Sequence, residues 1–226
     1  MRLQTILIIA CAAFSLIAAP ASAQTPSGTS TLFGTNLVVN GDAESDTGAP
    51  SNSQVVKPTG WTTTGEFTAV QYGASGGFPD KTSPGPSDRG KNFFGGGNVA
   101  KSTTTQTIDL SSGRQAIDSG GVTYVLTGWL GGYSAQADNA QVTVTFLSAA
   151  GGSLGSGRIG PVTPADRHGA TGFFKRTATG SVPAQARAAR VVITATRFEG
   201  SYNDGYSDDV SLFLEDRAVL EKGASK

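Results

Sequence analysis

NLVVNGDAE, residues 36–44, decides the fold when it is set beside DGYSDDVSLFLED, residues 204–216. The first stretch puts a short apolar strand directly before Asn40-Gly41, a pair suited to a tight turn with φ > 0. Two carboxylates, Asp42 and Glu44, follow at once. The second stretch puts Asp208 and Asp209 directly before an alternating run. Side chains at i and i+2 share a face of a strand, so Val210, Leu212 and Leu214 line one side. If the two strands lie side by side, their carboxylates meet, and hard oxygen ligands in one place suit a hard cation.

The same period-2 signal recurs between these ends. It predicts strands at 67–72, 91–94, 103–110, 122–133, 141–147, 173–179 and 190–198. In 141–147, Val142, Val144 and Phe146 share one face and Thr143 and Thr145 the other. In 190–198, Val191, Ile193 and Ala195 share a face. The chain has 31 glycines, which fits short strands joined by tight turns. Segments with a helical period of useful length are missing after residue 23. Many short strands without crossover helices predict an all-β fold, an antiparallel β-sandwich or barrel.

The first 23 residues read as a cleavable signal peptide. Arg2 gives a positive start, 6–19 is almost wholly apolar, and Ala21-Ser22-Ala23 ends in an A-x-A pattern. Cleavage after Ala23 would place the protein in the periplasm or outside the cell, with no integral membrane segment left. The only cysteine, Cys11, would leave with the signal, so no disulfide is expected. Residues 24–36 read as a flexible lead-in, 37–216 as one domain and 217–226 as a tail. Charge is balanced, with 17 basic and 17 acidic residues, and no block of like charge appears. Nucleic-acid binding through a basic patch therefore has no support.

These residues resemble the galactose-binding-like β-sandwich, the jelly-roll architecture of many carbohydrate-binding modules. The resemblance rests on Asn40, Gly41 and Glu44 in an Asn-Gly-x-x-Glu turn, on Gly60-Trp61, and on Asp208 to Leu212 as Asp-Asp-Val-Ser-Leu. It departs at Ala43, where an aromatic is usual. The resemblance implies an exported, non-catalytic module that binds carbohydrate or a glycan-bearing surface. It also implies a structural Ca²⁺ held by Glu44 and by Asp208 or Asp209, with Asp42 as a further ligand and carbonyls from the 84–90 loop. Strand parity favours Asp208, because it shares a face with Val210 and Leu212 and so points inward.

Candidate ligand-binding residues lie where sugars could stack on a ring beside polar groups. Tyr133 ends a strand at a Gly-Gly turn, and Tyr202 lies just beyond the strand carrying Arg197. Asp138 and Arg167, both in loops, complete the set. Trp61 and Trp129 read as core residues. Catalysis has no visible constellation: His168 is the only histidine, so a serine nucleophile would have no second base to choose from. A structural or adhesive envelope protein, and a polysaccharide-active enzyme, are the alternatives.

Overall fold

A computed structural model describes residues 32–217. The expected signal peptide and all but the first residue of the tail lie outside them. Among these residues, eleven strands run in the order β1 (Ala49–Ser51), β2 (Thr62–Thr64), β3 (Thr68–Ser75), β4 (Asn92–Gly95), β5 (Lys101–Asp109), β6 (Val122–Gly132), β7 (Asn139–Leu147), β8 (Ser153–Ile159), β9 (Gly172–Ser181), β10 (Ala188–Thr196) and β11 (Tyr206–Asp216). They form a six-stranded sheet, β1-β3-β4-β11-β6-β9, and a five-stranded sheet, β2-β5-β10-β7-β8. Every pairing is antiparallel except the short parallel contact of β1 with β3. One α-turn of helix, α1 (Arg114–Asp118), sits between β5 and β6.

Alternation builds the core. Val142, Val144, Phe146, Val191, Ile193 and Ala195 from one sheet face Leu126, Leu130, Val210, Leu212 and Leu214 from the other, all buried in one cluster. Burying such side chains stabilises by roughly 1.5–3 kcal/mol each. A second cluster covers the outer side of the six-stranded sheet: Val70, Phe78, Phe93, Phe173, Tyr202 and Tyr206. The 76–90 loop closes over it. Phe78 packs its ring on Phe93, Tyr202 and Tyr206. Arg89 donates to the carbonyls of Asp80, Ser83 and Pro86 and lies over the Tyr72 ring.

Three expectations need correction. Residues 36–39 form no strand, although they do lie along β11: the Leu37 N–H donates to the Leu212 carbonyl at 2.9 Å, and the Val210 N–H to the Gly41 carbonyl at 2.9 Å. On the other side, the Gln106 side chain takes the place of a neighbouring strand. Its Oε1 accepts the Val39 N–H and its Nε2 donates to the Val39 carbonyl. Residues 32–36 are also no free lead-in, since Leu32 is buried in the core and the Gly34 N–H donates to the Leu214 carbonyl. Finally, the β11 register shifts between Asp208 and Ser211, with Asp209 at φ 47°. One extra residue in a strand reverses the side-chain alternation. Tyr206 therefore packs in the outer cluster while Val210 packs in the core.

Candidate functional site

The carboxylates at the paired ends do gather, but not as parity suggests. Asp208 is fully buried beside the outer cluster. Its Oδ2 accepts the Tyr72 hydroxyl at 2.5 Å and its Oδ1 the Asp209 N–H at 2.8 Å. Burial, then the neighbouring Asp209 charge, pushes its carboxyl well above the ordinary range. Asp209 is the residue that feels the charges of the other acids of this end. Partial burial pushes its pKa up to about 6, reinforced by the charges of Asp88, Asp42 and Glu44, with Lys175 opposing. Glu44 uses Oε1 to accept the N–H groups of Lys91 and Asn92, both at 2.7 Å, which fixes the start of β4. Asp42 accepts the Glu44 N–H. Among the described residues no three acids, histidines or cysteines converge as a ready metal-ligand set. What remains is an excess of carboxylates around Asp209, opposed by the charge of Lys175.

The predicted sugar-binding residues are mostly structural. Asp138 is fully buried. Its carboxylate accepts the N–H groups of Phe198 at 2.6 Å, Glu199 at 2.9 Å and Asp204 at 3.0 Å. Arg167 is 1% exposed and holds the neighbouring loop by donating to the carbonyls of Ser134, Gln136 and Ala170. Tyr202 is buried against Phe78. Arg197 donates to the Ser201 carbonyl across its own turn. Tyr133 is half-buried against the outer cluster. These five do not form an open site. Loop position suggested exposure, but loop N–H and C=O groups that turn inward need partners, and buried charged side chains supply them.

One open surface is the outer face of the five-stranded sheet. Its register sets Thr62, Thr105, Val192, Thr143 and Arg158 in one row across all five strands. A second row runs Thr64, Thr103, Thr194 and Gln141, and the Thr64 and Thr103 hydroxyls hydrogen-bond at 2.7 Å. A third runs Thr107, Arg190, Thr145 and Ser156. None of these side chains is buried. Phe198 stands just beyond Thr196 at the end of β10, 64% exposed, with its backbone pinned by Asp138. Sequence reading missed it as a binding residue. The available signal was its phase: Phe198 alternates with Thr194 and Thr196, not with Ile193 and Ala195.

No family model and no curated protein matches the chain. Among solved structures, it is similar to carbohydrate-binding modules. One is the family 61 module TmCBM61, solved in complex with β-1,4-galactotriose, at 13% identity and a TM-score of 0.46, covering 80% of this chain and 99% of that one. A second is the family 16 carbohydrate-binding module-2, at 17% identity and a TM-score of 0.45, covering 78% and 99%. The chain is also similar to the enzymatically active domain of tailspike protein 4 of bacteriophage CBA120, at 16% identity and a TM-score of 0.46. There it spans 79% of its own length but 21% of the tailspike chain.

Proposed function

We propose that this is an exported, non-catalytic module that binds carbohydrate or a glycan-bearing surface through the outer face of the five-stranded sheet. The observation that carries the reading is that open face, rich in threonine hydroxyls and closed at one end by exposed Phe198. Hydroxyls both donate and accept, as sugar hydroxyls do. The Phe198 ring offers an apolar plane for the C–H face of a sugar. The opposite outer face is filled in part by its own aromatic cluster and by the 76–90 loop, and its remainder opens into a cavity lined by Thr127, Trp129, Lys175, Asp209, Ser211 and Phe213.

The test is retention of the protein by immobilised polysaccharides, with Phe198→Ala as the diagnostic variant. Removing one stacked ring is worth about 1–1.5 kcal/mol, so affinity should fall about five- to tenfold. The melting temperature should hold, because the ring is exposed and Asp138 bonds the backbone N–H, not the ring. A wild-type protein retained by no polysaccharide would favour the structural or adhesive alternative.

The reading includes a structural Ca²⁺ at the acidic end, centred on Asp209, with backbone carbonyls completing its shell because no three acids converge among the described residues. The ion would supply the positive charge that this crowd of carboxylates lacks. Asp209 has a folded pKa of about 6 against an ordinary value of 3.8. A raised carboxylate pKa means the folded state holds the proton more tightly. Its penalty on stability is thus absent below about pH 4, grows from there to about pH 6, and is full above. Without calcium at pH 7, Asp209→Asn should therefore raise the melting temperature and flatten its fall between pH 4 and 6. Asp204 shifts in the same direction, to about 6, so some slope should remain. Calcium at a hundred times its Kd should stabilise the wild type by about 2.7 kcal/mol and leave Asp209→Asn nearly unchanged. An equal calcium response in both proteins would move the site elsewhere.

A further inference from the structure

Given a glycan site on the five-stranded sheet, we propose that its ligand is an anionic polysaccharide, a chain carrying carboxylate or sulfate groups, gripped by Arg158 and Arg190. The two arginines flank β7. Arg158 pairs across from Thr143 on one side and Arg190 from Thr145 on the other. Adjacent strands lie about 4.8 Å apart and alternate residues on one face about 6.7 Å apart, so the two Cβ atoms are roughly 12 Å apart. That span is bridged by a short oligosaccharide lying diagonally over the β7 hydroxyls.

Charge supports the choice. The outward charged residues on these strands are Lys101, Arg158, Arg190 and, at the far end of β5, Asp109. Asp109 already accepts the Ser111 N–H. The ion pairs among the described residues, Arg176 with Asp166 and Arg187 with Asp118, involve none of the three bases. Both arginines are exposed, and neither hydrogen-bonds a side chain or carbonyl through its guanidinium among the described residues. The acidic end around Asp209 belongs to the other sheet. A guanidinium presents a planar fork of donors that matches a carboxylate or sulfate two bonds at a time, and neighbouring threonines can serve the sugar hydroxyls. A neutral sugar would leave both forks without a charged partner.

The test uses affinity electrophoresis of the full chain through gels containing polygalacturonate, chondroitin sulfate, neutral xylan or polyglutamate. The expected result is retardation by one or both anionic polysaccharides, weakening as salt is raised. Arg158→Ala and Arg190→Ala should each weaken it about tenfold with an unchanged melting temperature. Arg190→Lys should recover only part, because an ammonium cannot form the paired bonds. Carboxylate and sulfate sources are told apart by which of the two gels retards more. Stronger retardation by xylan would overturn the anionic class while leaving the glycan reading intact. Equal retardation by polyglutamate, or anionic retardation that survives both alanine variants, would also overturn it. Retardation by none of the four would overturn the glycan reading as well.

Discussion

Replacing Asp138 with alanine is expected to cost on the order of 3–5 kcal/mol of folding stability. The carboxylate gathers three backbone N–H groups, from Phe198, Glu199 and Asp204, at 2.6, 2.9 and 3.0 Å. Alanine offers them no acceptor. A buried donor left unpaired costs about 1–3 kcal/mol, and partial entry of water into the loops offsets part of the sum. The effect should reach function. The same carboxylate fixes Phe198 at the rim of the open face, so any folded fraction should bind glycan less well. Asp138→Asn keeps one acceptor oxygen, and Oδ1 alone takes the Phe198 and Glu199 bonds. It should therefore lose markedly less. Urea midpoints of the three proteins measure this directly, and a loss below about 1 kcal/mol for Asp138→Ala would contradict the assignment.

Gly41→Ala is the second large loss, for a steric reason. A Cβ at Gly41 would overlap the Val210 carbonyl oxygen and press on Val38. Retreat is blocked, since the Gly41 carbonyl accepts the Val210 N–H at 2.9 Å. Val210 itself is buried in the core. The opening segment must then separate from β11 or distort it, at a cost of about 3 kcal/mol or more. Gly152→Ala is the matched control. Its nearest neighbour would be the Ser148 hydroxyl at 3.4 Å, in an exposed turn, so its effect should stay within about 0.5 kcal/mol. Equal thermal stability of the two variants would refute the close approach.

Much of the fold was legible because alternation is physical: a half-buried strand must put every second residue in the core. That is why β7 and β10 were read with the correct inward faces, and why β3, β4, β5, β6, β9 and β11 were located. β8, Ser153–Ile159, escaped because its glycines and serines carry no apolar period. β1 and β2 are three residues each, too short for a period to show. The turn was placed correctly at Asn40-Gly41, but the roles are divided. Asn40 takes the positive φ of 51°, and Gly41 is glycine because Val210 comes so near.

The site was less legible, for identifiable reasons. The bulge after Asp208 adds one residue that no pattern announces, and it moves the convergent carboxylate from Asp208 to Asp209. Asp138, Arg167 and Tyr202 stand in polar, glycine-rich loops whose composition suggests solvent. Folding turns those loops inward and uses the side chains to satisfy backbone groups or fill the outer cluster. The threonine face was present in the phase of Thr143 and Thr145, but only the strand register shows that β5, β10 and β2 continue it.

Binding at the outer face of the five-stranded sheet would move the methyl groups of its threonines. Threonine-methyl NMR during titration with an oligosaccharide of whichever polysaccharide retains the protein tests it most directly. The account predicts shifts concentrated at Thr103, Thr105, Thr143, Thr145 and Thr194, with Thr68 and Thr104, both buried, unmoved. Shifts confined to Thr171, beside the loop that carries Tyr133 and Arg167, with the sheet methyls silent, would contradict it.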